Sequence, residues 1–197
     1  MSSPIPESER TARARPRPAV RDVLRDGLRV LFVGINPDPV SARRGHHFSH
    51  PSNAFWRLLH EGGFTRRRLG PDEERLLLDE DIGVVNLIPK VSSGIASLTR
   101  EDIEHGRASL ARKLARHRPK AIVFVGITTY RMFTGTTGPV ACGAQAERIH
   151  DARVFVVPHP SGRNVHYPRN VMLEQWKAIA TALGYRESDT GEARLSR

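Results

Sequence analysis

Four short segments of this 197-residue chain carry side chains able to do chemistry, and each sits in a glycine- or proline-marked turn. The first, Gly34-Ile35-Asn36-Pro37-Asp38-Pro39, holds one amide in a tight turn. The second runs Gly45-His46-His47-Phe48-Ser49-His50-Pro51-Ser52-Asn53-Ala54-Phe55-Trp56. The third, Gly126-Ile127-Thr128-Thr129-Tyr130, is a glycine turn feeding a helix. The fourth is Pro158-His159-Pro160-Ser161-Gly162-Arg163-Asn164. An asparagine amide can position a water but has no useful basicity, and histidine can donate or move a proton near neutral pH. Taken singly, each segment is also ordinary turn chemistry. Asn-Pro is a common turn initiator, so Asn36 could simply stabilise its turn. None of the four matches a Walker or dinucleotide fingerprint.

Other candidates are weaker. His46, His47 and His50 invite a metal reading, but adjacent histidines seldom share one ion and no Asp or Glu joins them in the sequence. Pocket lining and hydrogen bonding are the expected roles, with no metal and no cofactor. Asp38 and Asp81 are formal general bases, yet Asn36 has the better strand-end position. Phe48, in a glycine-flanked loop, is expected to be less buried than Phe55 or Trp56. Arg43 and Arg44 stand close to this loop and are candidates for phosphate contacts. Arg66, Arg67 and Arg68 read as a solvated basic turn within reach of phosphates. The single cysteine, Cys142, excludes an internal disulfide, a Cys-rich zinc site and a four-cysteine cluster, and is expected to be a small packing residue.

The elements that must hold these turns are legible from the apolar runs. Arg29 to Val33, Gly83 to Ile88, Lys120 to Val125 and Arg153 to Val157 are continuous and rich in Val, Ile, Leu and Phe, as buried parallel strands are. Thr99 and Asp102 make a capping-box start for a helix bearing Ile103, Leu110 and Leu114, which stops before Pro119. Ser52 is placed to cap a helix carrying Phe55, Trp56 and Leu59. Asn170 is placed to cap one carrying Met172, Trp176, Ile179, Ala180 and Leu183, a core-facing stripe that gives Trp176 a structural role. The sum is a single three-layer α/β/α domain around a parallel sheet of about four strands. Such sheets bind ligands beyond the carboxyl ends of their strands, and three of the four turns follow strands directly.

The folded domain is expected over residues 21–186, between a disordered basic tail at 1–20 and a polar tail at 187–197. No repeat and no apolar run of membrane-spanning length is present. With no apolar leader, the expected location is the cytoplasm, in association with the nucleoid. Lys and Arg number 31 against 21 Asp and Glu, a formal charge of +10. That excess favours polyanionic partners, although solubility or an arginine-rich genome would also account for it.

Taken together and in this order, GINP at 34–37, GHHFSHPSNAFW at 45–56 and HPSG at 159–162 resemble the uracil-DNA glycosylase superfamily. They are most similar to its mismatch-specific uracil and thymine DNA glycosylase branch, that of Mug and thymine-DNA glycosylase. The resemblance runs from the first strand to the last helix. It implies a uracil-DNA glycosylase-like fold and a monofunctional enzyme, expected as a monomer. The implied activity hydrolyses the N-glycosidic bond of uracil, or of thymine or another modified pyrimidine, in mismatched double-stranded DNA. Carried over by motif, Asn36 and His159 are implied as catalytic, Asn36 by holding the attacking water. Phe48 is implied to stack on the extruded base. Main-chain amides at Ile35 and Phe48 would bond the pyrimidine, Asn53 would stand near the pocket wall, and Ser41 near the 5-carbon of the base. Ser161, Gly162, Arg163 and Asn164 would approach the gap left in the stack, with Arg163 as the candidate inserted side chain.

Three departures from the branch are visible. His159 stands where Asn is usual, as in the HPSP motif of classical uracil-DNA glycosylases. Arg163-Asn164 replaces the usual Leu-Ser-Arg after Gly162. GINPDP replaces GINPG. The chemistry is coherent without a family name: a base in duplex DNA must be flipped out before its glycosidic bond is reached. Bond cleavage then needs fixed donors near the base oxygens and a positioned water. No lysine occupies the Asn36 position, so no Schiff base and no strand cleavage are expected. Two rivals use the same residues: a non-catalytic reader of damaged DNA, which needs neither Asn36 nor His159, and a nucleoside hydrolase, which needs no wedge loop.

Overall fold

The computed structural model describes residues 19–162 and 167–185. Arg163 and Asn164, and nearly all of both expected tails, lie outside the described residues.

Four apolar runs form the parallel strands β1 (Val30–Gly34), β2 (Ile82–Asn86), β3 (Ala121–Val125) and β5 (Ala152–Val157). A fifth strand, β4 (Gly143–Ile149), pairs antiparallel with β5, and the sheet order is β2-β1-β3-β5-β4. The sequence reading of about four strands therefore omitted one. The segment Gly-Ala-Gln-Ala-Glu-Arg-Ile has little β-branched character and two of its side chains are charged. It is strand because it closes a hairpin at the sheet edge, where polar residues can face water.

Strand alternation sends side chains to two cores. Val30, Phe32, Val84, Val123 and Phe155 pack with α2 (Phe55–Glu61) and α5 (Arg169–Ala182) on one face. Leu31, Val33, Val85, Ile122, Phe124 and Val154 pack with α3 (Arg100–His117) and α4 (Ile127–Thr134) on the other. Every residue of β1 and β3 is buried, as a central strand covered on both faces requires. Trp176 is fully buried and stacks on Phe32 at 5.3 Å, which makes it a core residue.

Helix starts follow the sequence only in part. Thr99 caps α3 and Asp102 answers it, as the spacing predicts. At α2 the first-turn amide of Phe55 is bound by Asn53 Oδ1 at 2.9 Å, not by Ser52, whose hydroxyl is used on His50. Asn170 lies inside α5, whose cap position is Pro168. Pro168 has already set the extended entry and leaves no capping role to the residue two places on. Short α1 (Pro39–Arg44) is capped by Asp38.

Candidate active site

The strand ends line up across the carboxyl edge of the sheet. Asn86 closes β2, Gly34 closes β1, Gly126 follows β3 and His159 follows β5, in neighbouring positions of the strand order. Gly34 pairs in register with Asn86. A Cβ on Gly34 would stand 2.8 Å from Asn86 Oδ1 and 3.0 Å from Phe48 Cζ. Only a residue without a side chain lets this amide and this ring meet at the end of β1. Gly126 has φ +107, and a Cβ there would stand 3.4 Å from His159 Cβ.

Asn36, two residues beyond Gly34, is half-buried and firmly oriented. Its Nδ2 donates to the carbonyl oxygens of Pro37 and Ser92, each at 3.0 Å. Two carbonyl neighbours require the amide nitrogen to face them. Oδ1 is thereby turned the other way, and accepts no hydrogen bond among the described residues. A fixed acceptor of this kind can hold a water and cannot deprotonate it.

Phe48 has φ +52, a left-handed conformation that is costly for an aromatic residue and is found where surrounding structure enforces it. The enforcement comes from both sides. His47 is buried, with its main-chain N–H and its Nδ1 on Glu74 Oε2 at 2.8 and 2.9 Å, and its carbonyl accepts from Trp56 Nε1. His46 Nδ1 meets the other oxygen, Glu74 Oε1, at 3.1 Å. On the far side, Ser49 N donates to Ser41 Oγ, and Ser49 Oγ donates to the carbonyl of His46. The Phe48 ring stacks on Phe55, with centroids 4.0 Å apart and planes 18° from parallel.

Glu74 is the centre of this support. Burial works to raise its carboxyl, and the hydrogen bonds from His47 and His46 outweigh that, leaving it below the usual carboxylate range. An ionised carboxylate only accepts, so in both contacts the histidine Nδ1 is the donor. The sequence reading held that no acidic residue joins the histidines. The structure corrects this, because Glu74 reaches them from the 3₁₀ helix Pro71–Glu80. These contacts are hydrogen bonds around a carboxylate, and no metal-binding group of His, Cys, Asp and Glu is present among the described residues.

The remaining sequence candidates fall as follows. Ile35 is buried and its carbonyl accepts from Ile88 N at 2.8 Å. Ser41 is 2 % exposed, and its hydroxyl donates to Asp38 Oδ2 while accepting from Ser49 N. Asp38 accepts from the amides of Val40 and Ser41. Burial would raise its carboxyl, but the Ser41 hydroxyl, these amides and nearby His50 hold it low, so it serves as a helix cap. Asn53 secures the start of α2. His159 is half-buried, and burial pushes its imidazole below the ordinary histidine value, so it is neutral at neutral pH. Pro160 O accepts from Ala54 N at 2.8 Å, and a Cβ on Gly162 would lie 2.9 Å from Ser52 Cβ. The loop carrying His159, Ser161 and Gly162 is thus docked on the loop that follows Phe48. Arg43 and Arg44 are exposed at the end of α1.

The family model of the uracil DNA glycosylase superfamily matches residues 22–180. The chain belongs to the uracil DNA glycosylase superfamily. Its fold is also similar to the solution NMR structure of a candidate uracil DNA glycosylase from Methanosarcina acetivorans. That likeness has a TM-score of 0.58 at 20 % identity, over 83 % of this chain and 96 % of that one. At this identity it speaks for the fold, a mixed sheet between helical layers, as the superfamily requires.

Sequence reasoning missed two residues of the site. Asn86 is half-buried, stands at the strand ends beside Phe48, and its side chain makes no hydrogen bond among the described residues. Its signal was a lone amide ending an apolar run, directly comparable with Asn36 after β1. Glu74 had no such signal, since it lies in a charged stretch, Asp-Glu-Glu-Arg, typical of a solvated helix face.

Proposed function

We propose that the chain is a monofunctional DNA glycosylase that hydrolyses the N-glycosidic bond of uracil in mismatched double-stranded DNA, as in the mismatch-specific branch. Thymine and other modified pyrimidines are further candidate substrates. The observation that carries this reading is the pair of fixed features on either side of Gly34. One is the Asn36 amide, turned by two carbonyls so that Oδ1 is presented. The other is Phe48, locked in a left-handed conformation with its ring at the strand end.

A flipped pyrimidine stacked near Phe48 recovers part of the stacking it loses on leaving the duplex, about 1–3 kcal/mol. Asn86 offers both an amide donor and an acceptor, complementary to the alternating acceptor and N–H edge of uracil. Asn36 Oδ1 holds the water that attacks C1′. Because an amide is not a base, the glycosidic bond must be largely broken before the water adds. The leaving base is an anion, and neutral His159 at the end of β5 donates a hydrogen bond to its oxygen without becoming charged. Arg43, Arg44 and the loop of Ser161 and Gly162 contact the DNA. Arg163 and Asn164 continue that loop in sequence. The buried Ser41 acts on the pocket through Ser49 and Asp38, a route by which it affects the choice between uracil and thymine.

The test is direct. Purified protein without added metal is incubated with end-labelled oligonucleotides containing U·G, U·A, T·G or single-stranded U, then treated with alkali. Alkali-dependent cleavage at U supports the reading, and the order of the four substrates tests the mismatch branch. Cleavage of free deoxyuridine but not of duplex would replace it with a nucleoside hydrolase. Binding without cleavage would replace it with a non-catalytic reader.

A further inference from the structure

We infer that an arginine-lined cavity beside the Phe48 loop is a seat for backbone phosphates of the DNA strand whose base is extruded. The inference rests on the glycosylase reading and adds to it three arginines that lie outside the motifs quoted above, Arg44, Arg57 and Arg68, set against the wall that the 48–56 segment forms. The cavity has a volume of about 470 Å³, opens to solvent, and runs from Phe48 and Ser49 to Arg44, Arg57 and Arg68. No Asp or Glu lines it. None of the three arginines has a carboxylate partner among the described residues. Arg44 makes only a long hydrogen bond, Nη1 to Ser49 O at 3.4 Å. Arg57 Nε is enclosed and has no hydrogen-bond partner.

The neighbouring basic residues behave differently, and that contrast locates the site. Of the three consecutive arginines 66–68, Arg66 pairs with Glu80 at 3.5 Å and Arg67 with Glu73 at 2.7 Å. Only Arg68 is left for the cavity. Gathering uncompensated guanidinium groups without counter-charge costs electrostatic energy, which a bound polyanion relieves. Guanidinium is also the side chain best matched to phosphate oxygens.

Position decides the anion in favour of DNA. Ser52, Asn53 and Ala54 form one wall of the cavity. The same segment carries the His159 loop, through Ala54 N to Pro160 O and the close approach of Gly162 to Ser52. A strand delivering its base at Phe48 and interrupted by that loop therefore passes its flanking phosphates over these arginines.

The experiment is equilibrium binding of a fluorescent duplex without lesion to the full chain, over 50–300 mM salt. Each phosphate neutralised contributes about 0.9 to the slope of log K against log salt. R68Q should flatten that slope by about one and weaken binding roughly fivefold at 0.15 M salt, the value this exponent gives. R57Q combined with R68Q should flatten it by about two, and R57K should restore part of the affinity. R67Q removes the same charge from a paired arginine and should leave the slope as it is. Equal slopes for R68Q, R67Q and wild type would overturn the site. Wild-type protein that excises uracil while R57Q with R68Q binds normally would overturn the site alone. A wild-type protein that neither binds duplex salt-dependently nor excises uracil would overturn the glycosylase reading and the site with it.

Discussion

Removing the Glu74 carboxylate should weaken the fold and, more sharply, the presentation of Phe48. In Glu74→Ala, three donors lose their acceptor: His47 N and Nδ1, and His46 Nδ1. The first two are buried with a residue that is 1 % exposed, and His47 Nε2 is already without a partner. Leaving one buried donor unsatisfied costs about 1–3 kcal/mol. The half-exposed His46 can turn to water and adds little. The expected loss is therefore about 2–6 kcal/mol in urea unfolding, a large share of the roughly 5–15 kcal/mol that holds a domain together. Glu74→Gln keeps one acceptor and places an NH₂ against the other donors, so it should lose less than the alanine variant. Because the carboxyl is held below its unfolded value, its stabilisation is complete above about pH 4.3, the unfolded glutamate value. It fades as pH falls through the lower folded value. Wild type and Glu74→Ala should thus converge in stability only in strong acid. The second readout is capture of an extruded base, measured with a duplex carrying an abasic or uncleavable uracil analogue. The strain at φ +52 persists only while its flanks are pinned, so capture should fall even where the variant is fully folded. A variant that unfolds within about 1 kcal/mol of wild type and captures the base normally would refute the argument.

Asn36→Ala should slow single-turnover uracil excision by about 10²–10³-fold, the scale of losing one fixed polar group at a reacting centre, with little change in duplex affinity. Unchanged turnover would remove Asn36 from the chemistry. Phe48→Ala should weaken binding of the extruded-base analogue by about 1–3 kcal/mol while leaving undamaged duplex binding nearly untouched. Equal losses on both DNAs would make Phe48 a structural residue. His159 is depressed by burial, so its neutral form persists below the ordinary value near 6.5. Excision should hold steady from neutral pH to about 6.5 and fall only further into acid. His159→Ala should abolish that acid limb. On stability, the unfolded chain takes up this proton first as pH falls, so His159 lowers fold stability in the same acid range. Finally, Gly34→Val should abolish base capture, since a side chain there overlaps Asn86 Oδ1 and Phe48 Cζ. Measuring capture alongside unfolding would separate this from collapse of β1.

What the sequence determined by itself was the part of the molecule written in near-neighbour patterns. The four parallel strands are continuous apolar runs because both of their faces are buried, and no other placement hides Val30–Val33 or Ala121–Val125 from water. The α3 start is legible in Thr99 and Asp102, because a capping box spans only three residues. Asn36 and His159 stand out as candidates because their turns follow strands of such a sheet, while the roles expected of them come from the motif resemblance. Tertiary structure decided everything that depends on partners distant in the chain. Glu74 meets His46 and His47 across about 27 residues, and nothing in an acidic stretch announces that one carboxylate turns inward. Arg66, Arg67 and Arg68 are identical as sequence, and their fates differ only because Glu80 and Glu73 happen to face two of them. Strand β4 exists because β5 offers it an edge. Phe48 is left half-buried, where its sequence neighbours Phe55 and Trp56 are core, and its backbone is bent through a left-handed turn. That turn is enforced from outside by buried hydrogen bonds, whose energy depends on burial and geometry that no local pattern encodes.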